Sequence, residues 1–506
     1  MTTLHTQTSK TRTGSPPAYA IMLVLLGALL AAAPLWGPGI VNTRGGGDSP
    51  FLLQRTMEMA DSLRQGTFPV RWMAHAAYDL GYPFFNHYAA LPYYISGTLV
   101  SLGVNPLSAI QITQTLGFLA AALTMLLWTH TVFHSRITAV VASLAYTFAP
   151  FHMVNVYVRG DSLSEFYAFI WYPLILWTLK RLVVHPSRSR LMNAALAYGA
   201  LILTHNVSAL IFSPFALLYG VVITFTYTRL RGDRTQRPWP ILGHLLAAFV
   251  LGMVFTAWFW LPAIVETRYT QMGPEFTEGY FHYTNHFRSL NLVQRSWAFN
   301  YEVSDTTQDA GPFAMGAVQA LLALMGICVL IWQDFIKRVP APMQQENWRR
   351  ALKSERLILM LSLVGSTVMI TPWSRPLWDT LPLLPLTQFP WRFLSVQACF
   401  SAVVTGALLE NWSSPTRPRR TPFGLGAPRL ALGALVGIAN ISAAMIALHP
   451  ERLVLQASDV NWTNLLLYET FTGNIGTTIR YEYLPKDVVP RLYISEAVID
   501  GTGHVI

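Results

Sequence analysis

Apolar runs close to membrane-crossing length recur from one end of this chain to the other, and almost no charge interrupts them. A helix needs about 20 apolar residues to cross a hydrocarbon core of ~30 Å. Runs of this kind lie near residues 18–40, 108–131, 137–153, 165–179, 191–205, 207–228, 241–263, 313–333, 357–372, 393–410 and 430–449. Of the 506 residues, 12% are charged and 52% hydrophobic, whereas soluble domains carry about 25% charge. A soluble multidomain enzyme is excluded. The pattern predicts an all-α polytopic membrane protein of about eleven transmembrane helices, with outer loops and a small C-terminal outer segment containing β-strands.

The formal net charge is +10, but the basic residues are dispersed between the apolar runs rather than gathered in one domain. They therefore mark topology and exclude a nucleic-acid partner. The N-terminus carries Lys10 and Arg12 ahead of Ala18–Ile40, a run with no small-residue exit site, which predicts an uncleaved first span. Cys328 and Cys399 both fall inside apolar runs, which excludes a disulfide framework or a cysteine metal site.

One further stretch, Tyr88–Leu102, is ambiguous because it contains Pro92. If it does not cross, one side of the membrane receives the N-terminus, Arg136 and the segments 180–190, 229–237, 337–356 and 417–429. Those segments hold 21 of the 35 Lys and Arg. If it does cross, five consecutive basic loops violate the positive-inside rule. The expected topology in the plasma membrane is eleven spans, N-terminus cytoplasmic and C-terminus extracytoplasmic. The domains are then 1–449, a transmembrane body with outer loops 41–106 and 264–312, and 450–506, an extracytoplasmic segment expected to continue beyond this chain. Alternation predicts strands at Arg480–Leu484 and Arg491–Ile494, and an amphipathic helix should follow Asp48-Ser49-Pro50 with Leu52, Met59 and Leu63 on one face.

Apart from Glu165 and Glu410 at run ends, no acidic or basic residue falls within the apolar runs; the polar groups collect at their outer ends. This weakens an ion-coupled transporter, which needs ionisable groups near mid-membrane. Four groups stand out. Arg44-Gly-Gly-Gly-Asp48-Ser-Pro offers a close backbone approach and a carboxylate, although Asp48 or Ser49 could equally cap the next helix. Arg159-Gly-Asp161-Ser-Leu-Ser-Glu165 offers a forked cation and two carboxylates on one helix face; Ser162 and Glu165 also fit a capping box. Only 38 residues separate Arg190 from Arg229, so each leg between them reaches ~28 Å. The turn at His205-Asn206 must then sit in a recess rather than project into water. Gln388-Phe-Pro-Trp-Arg392-Phe is either an interfacial anchor or a phosphate site. Glu266, Arg268 and Asp379 are weaker additions. Cations for a phosphate and carboxylates for deprotonating a hydroxyl, all at one depth, suit a reaction on a membrane-anchored phosphate.

At these residues the chain resembles the GT-C class of integral-membrane glycosyltransferases. Within that class it looks most like the bacterial multi-spanning proteins called 6-pyruvoyl-tetrahydropterin synthase-related, with similarity to the YfhO-like group. Arg159-Gly-Asp161 with Glu165, Leu203-Thr-His-Asn206, Gln388-Phe-Pro-Trp-Arg-Phe393 and Glu482-Tyr-Leu-Pro485 carry the likeness. The resemblance implies a cell-envelope transferase moving a sugar from a polyprenyl-phosphate donor, held among membrane lipids, to an acceptor at the outer face. Asp48 and Asp161 would be catalytic, and would hold a divalent cation if one is used. Arg159, Glu165, His205, Asn206, Gln388 and Arg392 would bind substrate. Pterin chemistry is not implied, because no cluster of three His with a Cys is present. A flippase of lipid-linked saccharides and a non-catalytic scaffold are the alternatives.

Overall fold

The computed structural model describes residues 16–44, 49–160, 162–230, 237–273, 276–303, 311–336, 343–410, 427–475 and 481–489. The chain enters through α1 (Ala18–Ala32) and the two-residue β1 (Ile40–Val41). The first outer region then holds α2 (Ser49–Arg64), α3 (Phe84–His87) and α4 (Leu91–Ser101). A long series follows: α5 (Pro106–Phe133), α6 (Arg136–Thr147), α7 (Pro150–Tyr157), α8 (Leu163–Val184), α9 (Arg188–Thr204) and α10 (Asn206–Leu230). After α11 (Pro238–Phe255) and α12 (Ala257–Glu266) comes an irregular outer region. Then follow α13 (Ala317–Ile331), α14 (Met343–Val368), α15 (Arg375–Thr380), α16 (Leu394–Ala407) and α17 (Ala427–Met445). The C-terminal segment contributes β2 (Arg452–Leu453) and α18 (Trp462–Thr472).

Eight helices among the described residues are long and apolar enough to cross a membrane, or nine if the bent pair Arg350–Val368 and Pro372–Thr380 counts as one span. Eleven is therefore not reproduced on that measure. Every apolar run does become helical, but α9 has 17 residues and α16 has 14, or about 25 Å and about 21 Å of rise. The Tyr88–Leu102 stretch becomes the 11-residue α4, at about 16 Å too short to cross.

The helices pack as a single body, with α5 against α1, α6 and α8, and α14 between α10 and α16. The tightest helix–helix approach joins α13 to α16: a Cβ at Gly326 would stand 2.2 Å from the Val404 carbonyl oxygen. Only an unsubstituted backbone fits there.

Some charges assigned to inner loops are instead buried, because the helices run past the ends of the apolar runs. Lys180 pairs with Glu355 at 2.9 Å, and Tyr219 donates to the same carboxylate at 2.7 Å. Arg356 pairs with Asp334 at 2.9 Å and with Glu410. Each of these charges sits in an ion pair, which lowers the cost of burial, and α8, α10, α14 and α16 are tied together near one end of the bundle.

Two expectations for the outer segments are corrected. Residues 481–484 form a turn rather than a strand. The ladder is β1 with β2, antiparallel, Ile40 opposite Leu453; Arg491–Ile494 lies outside the described residues. Nor does α2 keep one face in solvent: Gln54, Arg55 and Glu58 are buried along with Leu52 and Met59. The reason is a second covering layer, with α4 on one side and α18 on the other. There Gln54 donates to Glu469 at 2.7 Å and Phe51 packs on Tyr468.

Candidate active site

The start of α8 carries the electrostatic centre. Glu165 lies in its first turn, fully buried. The expected capping box does not form: Ser162 makes no side-chain cap, and Glu165 accepts from Arg159 Nη1 at 2.6 Å. A buried carboxylate gains more from a guanidinium than from a helix amide. Arg159 also donates to Asn155 at 2.9 Å and lies over the Trp391 ring. On the other side of Glu165 stands Arg392, its Nε 4.0 Å from the carboxylate and its guanidinium over Phe389. Two guanidinium groups share one carboxylate, leaving one excess positive charge. Arg392 Nε is buried and makes no hydrogen bond among the described residues.

This centre opens into a cavity of about 440 Å³ lined by Arg159, His205, Asn206, Gln388 and Arg392. Five of the six expected substrate-binding residues thus share one space, and Glu165 sits behind two of them. The turn between α9 and α10 is recessed as chain length demanded. Asn206 there donates to the His87 carbonyl at 3.0 Å and accepts from the Ala89 amide at 3.3 Å, pinning the first outer region to the bundle. His205 engages Ser208 at 2.7 Å. Gln388 holds φ +61° and donates to the Phe276 carbonyl at 2.7 Å.

Asp48 and Asp161, the expected catalytic pair, lie outside the described residues. Their chain neighbours do not. A Cβ on Gly160 would stand 3.2 Å from Ser49 Oγ and 2.6 Å from the Val41 carbonyl oxygen, and the Arg44 amide donates to the Val158 carbonyl at 2.9 Å. Ser49 Oγ accepts from the Thr43 amide at 2.6 Å. Thr43 and Ser162 both line the cavity. Arg44 is turned away, onto Glu302 and the His449 carbonyl. Among the described residues no three His, Cys, Asp or Glu gather as a metal site.

Three weaker candidates sit outside the cavity lining. Asp379 accepts from Tyr283, Glu266 accepts from Asn86 at 2.8 Å, and Arg268 lies on Tyr269. Among the lining residues not expected as site residues are Arg55, His87, Tyr88 and Tyr483. Arg55 is buried over the Phe84 ring, 4.3 Å from its centroid. His87 stacks on Tyr483 at 4.9 Å, and burial holds its pKa below the usual imidazole value. Phe84-Phe-Asn-His-Tyr88, polar groups inside an aromatic run, was the available signal.

The loop leading into this wall is held under strain. Ala77, Tyr78 and Asp79 are consecutive left-handed residues with φ 54°, 60° and 60°, each costing about 1–3 kcal/mol. Two buried acidic side chains hold this loop in place. Glu469 accepts from the Ala77 and Tyr78 amides at 3.2 and 2.9 Å. Glu58 accepts from the Ala74 and His75 amides at 2.9 and 2.7 Å. Burial lifts the Glu58 pKa to about 8, with the two amide bonds pulling the other way.

The family model of the 6-pyruvoyl-tetrahydropterin synthase related domain, a membrane protein, matches residues 85–449. The chain belongs to this family. A search of curated proteins by sequence gave no match. Among solved structures, the chain is similar to the archaeal oligosaccharyltransferase AglB from Archaeoglobus fulgidus, in complex with an inhibitory peptide and a dolichol-phosphate. The TM-score is 0.50 at 14% identity, over 86% of this chain and 56% of that one. This chain therefore spans little more than half of that protein. ArnT from Cupriavidus metallidurans bound to undecaprenyl phosphate aligns with a TM-score of 0.43 at 16% identity, over 89% of this chain and 75% of ArnT. The likeness to AglB is one of fold: a polytopic helical membrane body that resembles the GT-C architecture.

Proposed function

We propose that this family member is a glycosyltransferase that moves a sugar from a polyprenyl-phosphate donor to a hydroxyl acceptor at the extracytoplasmic face of the plasma membrane. The observation that carries this reading is Arg392, a partly buried side chain lining the cavity, whose buried Nε makes no hydrogen bond among the described residues. Beside Arg159 it offers a forked cation to a phosphate. The cavity is also lined by Val207, Leu210, Ala263 and Ile264. Ile264 is exposed on α12, which supports entry of an isoprenoid tail from the lipid side. The solved relatives AglB and ArnT hold dolichol-phosphate and undecaprenyl phosphate.

In this reading the acceptor oxygen attacks the anomeric carbon as the bond from that carbon to the phosphate oxygen breaks. The acceptor proton passes to Asp48, and polyprenyl phosphate leaves. Arg159 and Arg392 stabilise the charge gathering on the departing phosphate. Asp161 assists as a substrate or metal ligand, and contact between Gly160 and Ser49 supports its working beside Asp48. His205 and Asn206 line the sugar pocket.

The test is transfer from radiolabelled polyprenyl-phosphate sugars by the reconstituted full chain. Asp48→Asn and Asp161→Asn are each expected to lower transfer at least 100-fold while leaving the protein inserted. Wild-type transfer by Asp48→Asn would remove it from the mechanism.

A further inference from the structure

The C-terminal segment forms a wall of the cavity to which phosphate binding gives no task. Residues 481–489 are pinned on two sides. The Tyr483 amide donates to Tyr82 Oη at 3.0 Å. The Gln271 amide donates to the Leu484 carbonyl, and the Lys486 amide to the Tyr269 carbonyl, both at 2.9 Å. The segment approaches through Tyr481 at φ +60°, a conformation that a bulky side chain rarely adopts. In an extended strand Glu482 and Tyr483 would point to opposite faces. The turn built on Tyr481 instead lets both line the cavity. Strain of this kind persists where surrounding bonds over-determine it, and here its product is a carboxylate and an aromatic ring presented side by side.

A carboxylate accepts hydrogen bonds and repels phosphate. Glu482 therefore complements a different part of the ligand from the part that Arg159 and Arg392 would hold. Tyr483 belongs to an aromatic wall with His87 at 4.9 Å and Phe84 at 6.2 Å. Hydroxyl donors beside a ring with an apolar face are the features of a neutral saccharide. We propose that Glu482 and Tyr483 form a saccharide subsite, the carboxylate accepting from sugar hydroxyls and the aromatic wall facing the sugar ring. This rests on reading the cavity as a sugar-transfer site; the sugar is that of the donor or that of the acceptor.

The experiment uses the purified full chain in detergent with three probes: farnesyl phosphate, a farnesyl-phosphate hexose, and free neutral saccharides followed by saturation-transfer NMR. For a donor sugar, Glu482→Gln is expected to cost at least tenfold in affinity for the hexose conjugate and less than twofold for farnesyl phosphate. For an acceptor sugar, the free-saccharide signal falls at least tenfold in the same variant. Tyr483→Leu, which keeps the carboxylate, should weaken the same arm. If the wild type gains nothing from the hexose and binds no free saccharide, or if both variants match wild type in both arms, the subsite is overturned. Loss of farnesyl phosphate binding by the wild type, with Glu482-dependent saccharide binding retained, would instead sink the phosphate-donor reading alone.

Discussion

Arg392→Ala removes a guanidinium whose main protein partner is a carboxylate 4.0 Å away. Glu165 keeps its closer bond, 2.6 Å from Arg159, so the substitution should shift the thermal midpoint little. Its effect belongs to the ligand. One charge-assisted hydrogen bond contributes about 1.5–3 kcal/mol, and each 1.4 kcal/mol is tenfold. The Kd for farnesyl phosphate should therefore rise about 10- to 100-fold, read by calorimetry on the detergent-solubilised full chain. Arg159→Ala is the contrasting perturbation. It leaves Glu165 buried with only the distant Arg392, an imbalance worth about 3–5 kcal/mol of stability, and should lower the midpoint clearly. The reasoning fails if Arg392→Ala binds farnesyl phosphate within twofold of wild type, or if it destabilises the protein as much as Arg159→Ala does.

Two further outcomes follow from the outer regions. Gly160→Ala would place a Cβ 2.6 Å from the Val41 carbonyl oxygen, forcing the first and second outer loops apart. A loss of about 1–3 kcal/mol with transfer reduced at least tenfold is expected, and unchanged transfer would show that the loops need not touch. Glu58, with a folded pKa near 8 against an ordinary 4.5, stabilises fully below about pH 4.5, and the contribution is lost as pH rises toward 8. The span is on the order of 4–5 kcal/mol. The thermal midpoint should fall across that range in the wild type and flatten in Glu58→Gln; identical slopes would assign the pH dependence elsewhere.

The membrane class was legible because hydrophobic run length is a property of the sequence alone. The recess at His205-Asn206 was legible because 38 residues cannot reach farther. Length also explains why a count by helix length stops short of eleven: α9 and α16 are apolar but short, and burial among neighbours lets such helices be stable without meeting a length rule. The capping box failed because local spacing carries no information about Arg159 folding back onto Glu165. The cavity wall made by Arg55, His87 and Tyr483 depends on pairing between the first outer region and a segment about 400 residues later. Period and motif cannot register a contact of that separation. Glu482 could be quoted from the sequence, but the left-handed Tyr481 that turns it inward could not.

The most direct measurement of the central claim is a structure of the full chain with a bound polyprenyl phosphate. The phosphate should lie within hydrogen-bond distance, about 2.7–2.9 Å, of the Arg392 guanidinium, with the isoprenoid leaving past Ala263 and Ile264 of α12. A phosphate bound outside the cavity, with Arg392 Nε still without a hydrogen bond, would contradict the account.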